Sequence, residues 1–194
     1  MNDFKILYHN IDLDIIQQKL NESKKKVDKI NHIISDVSSL TISKKTTDLN
    51  EIKNVTQKLT ENKNIFVVFG TGGSNLGSRA LINILQDKYD KKILFFDNID
   101  PIQFSNSILK LNIDKVGFII ISKSGSTPAT LCQFASIIEI FKSKNKIDEL
   151  SKSCVVITEN KDSPLKKIAK KFSCKILNHE EDIGGRYSVF SNVG

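Results

Sequence analysis

Apolar residues along this chain follow two different periods. Short continuous runs, Ile65–Phe69, Lys92–Asp97, Val116–Ser122, Cys154–Thr158 and Cys174–Leu177, alternate with segments in which apolar positions recur every three or four residues. The runs predict strands that are apolar throughout, as expected of strands covered on both faces. The segments between them predict helices from about Ser74 to Gln86, after Pro101, around Leu131, Phe134, Ala135, Ile138 and Phe141, and from about Pro164 to Phe172. Repeated strand–helix units of this length give an α/β fold, a three-layer αβα sandwich on a mainly parallel five-stranded sheet with right-handed crossovers. In such sheets ligands sit at the carboxyl ends of the strands, near the switch in strand order.

The sheet is preceded by helical pattern only. Ile16, Leu20, Val27, Ile30, Ile34 and Val37 form one stripe over Asp14–Leu40. A polar link, Thr41–Thr47, leads to a short helix marked by Leu49, Ile52, Val55 and Leu59, with Asp48 or Thr47 as its cap. Residues 1–62 therefore read as a helical N-terminal region and residues 63–194 as the α/β domain. Residues 1–12 show no clear period. After the last strand the chain runs through a polar stretch into IGGRYSVFSNVG, and the apolar segment Val189–Val193 stops where a further element is expected. The chain reads as the N-terminal part of a longer protein.

Composition narrows the function classes. The formal charge is +7, but the excess is lysine spread beside Asp and Glu, and the only arginines are Arg79 and Arg186. Nucleic-acid recognition favours arginine, and no compact helix pair with a glycine turn precedes the sheet, so no nucleic-acid partner is expected. No apolar run approaches the ~20 residues of a membrane span, and no basic segment followed by an apolar one opens the chain. Neither a membrane partner nor a signal peptide is expected. Cys132, Cys154 and Cys174 match no zinc or redox spacing and read as buried free thiols in a reducing, cytoplasmic setting.

The candidate chemistry lies in three polar turns. The first strand stops at Gly70 and is followed by Thr71-Gly72-Gly73-Ser74 at a helix start. Unpaired N–H groups and the helix dipole favour an anion there, glycines let it approach, and Ser74 can cap the helix while offering a hydroxyl. The turn fits neither the P-loop nor the dinucleotide fingerprint. Read alone, it is equally a plain strand-to-helix turn. The third strand ends in Ser122-Lys123-Ser124-Gly125-Ser126-Thr127, with Pro128 opening the next helix. Two such turns on neighbouring strands would converge on one anion. Hydroxyls with a single lysine suit a phosphate monoester; a nucleoside triphosphate would want a carboxylate-held magnesium as well. The third turn, Gly184-Gly185-Arg186-Tyr187-Ser188, adds an always-charged arginine fork beside paired glycines.

In this order and at roughly this spacing, GTGGSNLG, SKSGSTPATL and GGRYSVFS resemble the phosphoglucose isomerase family, and more broadly the sugar-isomerase (SIS) domain of phosphosugar-binding enzymes and regulators. The resemblance covers residues 63–194, about two thirds of the chain. It implies a SIS-type, flavodoxin-like sheet and a site without metal or organic cofactor. Gly73, Ser74, Ser122, Ser124 and Thr127 are implied around the sugar phosphate, with Lys123 close by. Arg186, with Gly185 beside it, is implied at the reacting end of the sugar, stabilising an enediolate. Thr71, Ser126 and Ala129 depart from the family pattern, which usually has an aliphatic residue, a Thr and a Glu there. The implied reaction interconverts glucose 6-phosphate and fructose 6-phosphate through a cis-enediol, by a homodimer when full length.

That reaction needs a carboxylate base and groups that open the sugar ring, which in the family follow the arginine motif. Glu180, Glu181 and Asp182 precede it and read as a solvated acidic loop. His9, His32 and His179 match no catalytic position and read as surface residues. The competing reading is a sugar-phosphate-sensing domain of a regulator, without chemistry. Arg186 argues against it, because a sensor needs the phosphate turns but no arginine at the reacting carbons.

Overall fold

The computed structural model describes residues 12–85 and 90–194, without the side chains of residues 13, 28, 31, 32 and 35. Two units are distinct, the residues up to Thr41 and Ile42–Gly194. In the first, α1 (Leu13–Ile33) starts at Asp12, whose carboxylate accepts from the Asp14 N–H at 2.9 Å. The predicted helix to Leu40 is broken: a 3-10 turn follows at Ile34–Asp36, Val37 is extended, and α2 covers Ser38–Thr41. The paired β-branched residues Ile33 and Ile34, which are less favourable in a helix, stand at the break. Leu20, Val27 and Ile30 on the α1 stripe remain about half-exposed.

In the second unit, α3 (Leu49–Thr60) precedes β1 (Ile65–Phe69), α4 (Gly73–Leu85), β2 (Lys92–Phe96), α5 (Pro101–Ile108), β3 (Val116–Ile121), α6 (Pro128–Ser143), α7 (Leu150–Ser153), β4 (Cys154–Thr158), α8 (Pro164–Lys171) and β5 (Lys175–Asn178). Asp48 stands at the N-cap of α3. The short α7 was not predicted, and the predicted end of α4 at Gln86 lies outside the described residues. All pairings are parallel and the order is β2-β1-β3-β4-β5. The order reverses between β1 and β3, which makes that junction the switch point.

Only the central strands are buried along almost their whole length. β1, β3 and β4 are nearly continuous core, whereas the outer strands β2 and β5 are partly exposed. On one face of the sheet Ile108 from α5, Phe134, Ile137 and Phe141 from α6, and Leu165 and Ala169 from α8 form the main core. Phe69, the last residue of β1, has ring neighbours Phe96, Phe104 and Phe118 at centroid distances of 5.8, 6.0 and 6.2 Å. This cluster anchors the strand end from which the glycine turn leaves. The other face holds Phe66, Val68, Ile121, Val155 and Ile157 under Leu59 of α3 and Val193. Among the described residues no helix is long and apolar enough to cross a membrane.

Candidate functional site

The register places the two polar turns at one level. Phe69 aligns with Ile120 of β3, so Gly70–Gly73 and Ser122–Thr127 leave adjacent strands at the same edge. They flank the switch point. The first turn needs its glycines: Gly72 has φ +55°, a left-handed conformation that other residues adopt at a cost. Asn75, fully buried, donates from Nδ2 to the Gly70 carbonyl at 2.8 Å and fixes the turn from behind. α4 begins at Gly73, so Ser74 lies inside the first helical turn rather than at its cap, and its N–H donates to the Thr71 carbonyl at 3.2 Å.

The second turn is organised by its own hydroxyls. Ser122 Oγ accepts from the Gly125 N–H at 3.1 Å and lies 2.8 Å from Thr127 Oγ1. Ser124 Oγ accepts from the Ser126 N–H and hydroxyl at 3.2 and 3.0 Å. Ser122 is buried, whereas Ser124 is exposed. Gly125 has φ +65°, and its backbone lies against Ser163, the N-cap of α8. Thr127 stands at the N-cap of α6 with Pro128 in the first turn, but its hydroxyl makes no capping bond. The first-turn amides of α6 therefore keep their capacity for an anion.

The third turn meets the first by direct backbone contact. Gly184 leads into a 3-10 helix, Gly185–Phe190, which packs along α4. A Cβ built on Gly73 would stand 2.2 Å from the Gly185 carbonyl carbon and 2.3 Å from the Arg186 nitrogen. Ser188, buried, donates to the Gly185 carbonyl at 2.6 Å, and Ser78 of α4 donates to the Val193 carbonyl at 2.8 Å. Arg186 is exposed. Arg79 lies 3.7 Å from Asp97, but the Arg186 guanidinium has no hydrogen bond or ion pair among the described residues. The Arg186 backbone nitrogen lies against Gly73 of the first turn.

Lys123 meets the loop that precedes the third turn. Its ammonium donates to the carbonyls of Glu181 at 2.7 Å and Ile183 at 2.9 Å, and lies 3.5 Å from Glu159. In the acidic loop Glu181 and Asp182 are exposed, while Glu180 is half-buried and paired with Lys45. Among the described residues no group of three or more His, Cys, Asp or Glu is placed to hold a metal ion.

Two surface expectations are corrected. His179 is fully buried: its N–H donates to the Thr158 carbonyl at 3.0 Å, and Nδ1 lies 3.0 Å from the Glu180 carbonyl. The residue continues β5 inward at the carboxyl edge, which a lone polar letter after an apolar run does not reveal. His9 and the side chain of His32 lie outside the described residues. All three cysteines are free, but Cys132 is exposed on α6 while Cys154 and Cys174 are buried. Asn75 and Gln133 were missed. Gln133 donates to the Asn98 carbonyl at 2.6 Å and holds the loop after β2. Its signal is a polar residue on the apolar stripe of α6.

Burial holds the His179 pKa below its ordinary value of 6.5, against the raising effect of the Glu180 carbonyl. Below pH 6.5 the unfolded chain takes up a proton that the folded chain resists. This contribution is therefore complete above that pH, is lost as pH drops from there toward the folded value, and levels off below it. The expected contribution is a slope of up to about 1.4 kcal/mol per pH unit just below pH ~6.5. Urea unfolding between pH 8 and 5 checks it: His179→Asn should flatten that limb, and an unchanged slope would assign it to other groups.

Comparison with known proteins follows the same three turns. The phosphoglucose isomerase family model matches residues 15–194. A probable glucose-6-phosphate isomerase of Methanococcus maripaludis is 37% identical over 137 residues, covering 68% of this chain and 30% of the relative. A hypothetical protein of Thermus thermophilus superposes with TM-score 0.79 at 23% identity, over 92% of this chain and 44% of that one. A glucose-6-phosphate isomerase of Chlamydia trachomatis does so with TM-score 0.65 at 25% identity, over 75% and 28%. The chain spans about a third of the length of the curated relatives it matches, 30% to 36%. With nearly the whole chain inside the matched region and the three turns on one sheet edge, the chain belongs to the phosphoglucose isomerase family.

Proposed function

We propose that this chain forms the phosphosugar-binding part of an aldose–ketose isomerase acting on glucose 6-phosphate and fructose 6-phosphate. The observation that carries the reading is the backbone contact of Gly73 with Gly185 and Arg186, which brings the turn of an arginine unpaired among the described residues against the first turn. The phosphate sits between the turns after β1 and β3, held by Ser74, Ser124, Thr127 and helix amides, with Ser122 shaping the second turn. After ring opening, a base takes the proton from C2 of the aldose. Negative charge develops on the sugar oxygens as the cis-enediolate forms, and delivery of the proton to C1 gives the ketose. Arg186 stabilises that charge; the base and the ring-opening groups belong to residues beyond this chain. The active form is a homodimer of the full-length protein.

The test combines binding and turnover. This chain should bind sorbitol 6-phosphate, a non-reacting analogue, without turning over fructose 6-phosphate, and Ser124→Ala should weaken binding about tenfold by removing a hydrogen bond to a charged group. In the full-length protein the same change should raise KM and spare kcat, since the contact is made equally in ground and transition states. Turnover by this chain alone would refute the assignment of the base to later residues. Binding without turnover by the full-length protein would make it a sensor.

A further inference from the structure

We propose that Lys123 is a positioning residue that ties the Arg186 turn to the second phosphate turn, so that one lysine couples the two ends of the sugar site. The proposal rests on the functional reading above for what the site binds. An ammonium has three N–H donors. Two are taken by the Glu181 and Ile183 carbonyls at 2.7 and 2.9 Å, and Glu159, 3.5 Å away with a side chain only 7% exposed, draws the third. Glu159 is itself paired with Lys161, so the two carbonyl bonds are what tie the ammonium to the loop.

Besides Lys123, the loop is tied by the Lys45–Glu180 pair and by the buried Ile183 side chain. Between His179 and Gly184 its own backbone bond, Ile183 N–H to the Glu180 carbonyl, is long at 3.4 Å. His179 fixes only the start of the loop, through Thr158 and the Glu180 carbonyl. Lys123 holds the end, directly before Gly184, Gly185 and Arg186. Its own backbone is part of the second turn, where its carbonyl accepts from the Glu159 N–H at 3.1 Å. On the opposite side Gly185 and Arg186 rest on Gly73 of the first turn. The arginine turn is thus gripped between both phosphate turns, and loss of the lysine releases one side of the grip.

Amide hydrogen exchange and binding of sorbitol 6-phosphate test this on Lys123→Met and Lys123→Arg. Lys123→Met should speed exchange at residues 181–187 at least tenfold, leave β1, β3 and β4 unchanged, and keep the affinity within threefold. Lys123→Arg should restore protection, because a guanidinium also presents paired N–H groups to two carbonyls. In the full-length protein Lys123→Met should lower kcat with KM nearly unchanged. Unchanged exchange, a tenfold loss of affinity, or no restoration by Arg overturns the proposal. If Lys123→Met does not fold, acetylation of the wild-type chain decides: Lys123 should react slowly with or without ligand, and protection arising only with ligand makes it a phosphate contact. Absence of sorbitol 6-phosphate binding by the wild type counts against the functional reading instead, while the exchange comparison still decides the tether.

Discussion

Arg186→Ala in the full-length protein should lower kcat by about 10²-fold or more, by analogy with loss of an oxyanion-stabilising donor. The stability of the fold should hardly change. Arg186 is exposed and makes no hydrogen bond or ion pair among the described residues, and substitutions at such positions stay within about 0.5 kcal/mol. Affinity for sorbitol 6-phosphate should stay close to wild type, because the analogue carries no developing charge at its reacting end. Arg186→Lys should not rescue, since a point charge on a flexible stem does not reproduce a planar two-pronged contact. Steady-state kinetics with fructose 6-phosphate, analogue binding and a thermal melt on both variants make the measurement. Intact kcat with weakened binding would reduce Arg186 to a substrate anchor.

Gly73→Ala should be a damaging small substitution in the site. The added carbon would lie 2.2, 2.3 and 2.6 Å from the Gly185 carbonyl carbon, the Arg186 nitrogen and the Gly185 oxygen. All three are backbone atoms, so no side chain can turn aside; one of the two turns must move. Overpacking of this kind costs about 1–3 kcal/mol and occasionally more, against the ~1 kcal/mol that Ala gains over Gly in a helix. The expected result is a net loss of about 1–2 kcal/mol in urea unfolding, with both analogue affinity and kcat reduced because the turns separate. Gly185→Ala is the control: its added carbon would stand 3.7 Å from the Gly73 Cα, an ordinary contact, and should be tolerated. Equal effects of the two changes would mean that the contact is not tight.

The local grammar of this chain was legible because it depends on near neighbours. Apolar runs bounded by glycine, serine or proline placed β1 and β4 to the residue and the other strands to within one residue at either end. Pro128 and Pro164 opened helices where their missing N–H costs nothing. The three turns could be singled out from residue type alone. Helix continuity past Ile33 was misjudged because periodicity counts apolar positions and overlooks the lower helix preference of the β-branched pair Ile33 and Ile34.

What remained was decided by pairings between distant segments. That β1 lies against β3, bringing the two hydroxyl turns to one crevice, is a matter of strand order, which no local pattern encodes. Gly73 reads as one more flexible glycine until Gly185, far along the chain, comes to rest on it. That Lys123 donates to two carbonyls is likewise set by how the loop before Arg186 folds back. His179 is buried because β5 carries it under that same loop. In each case burial and hydrogen bonding depend on what the rest of the chain places opposite the residue, and only the folded arrangement supplies that.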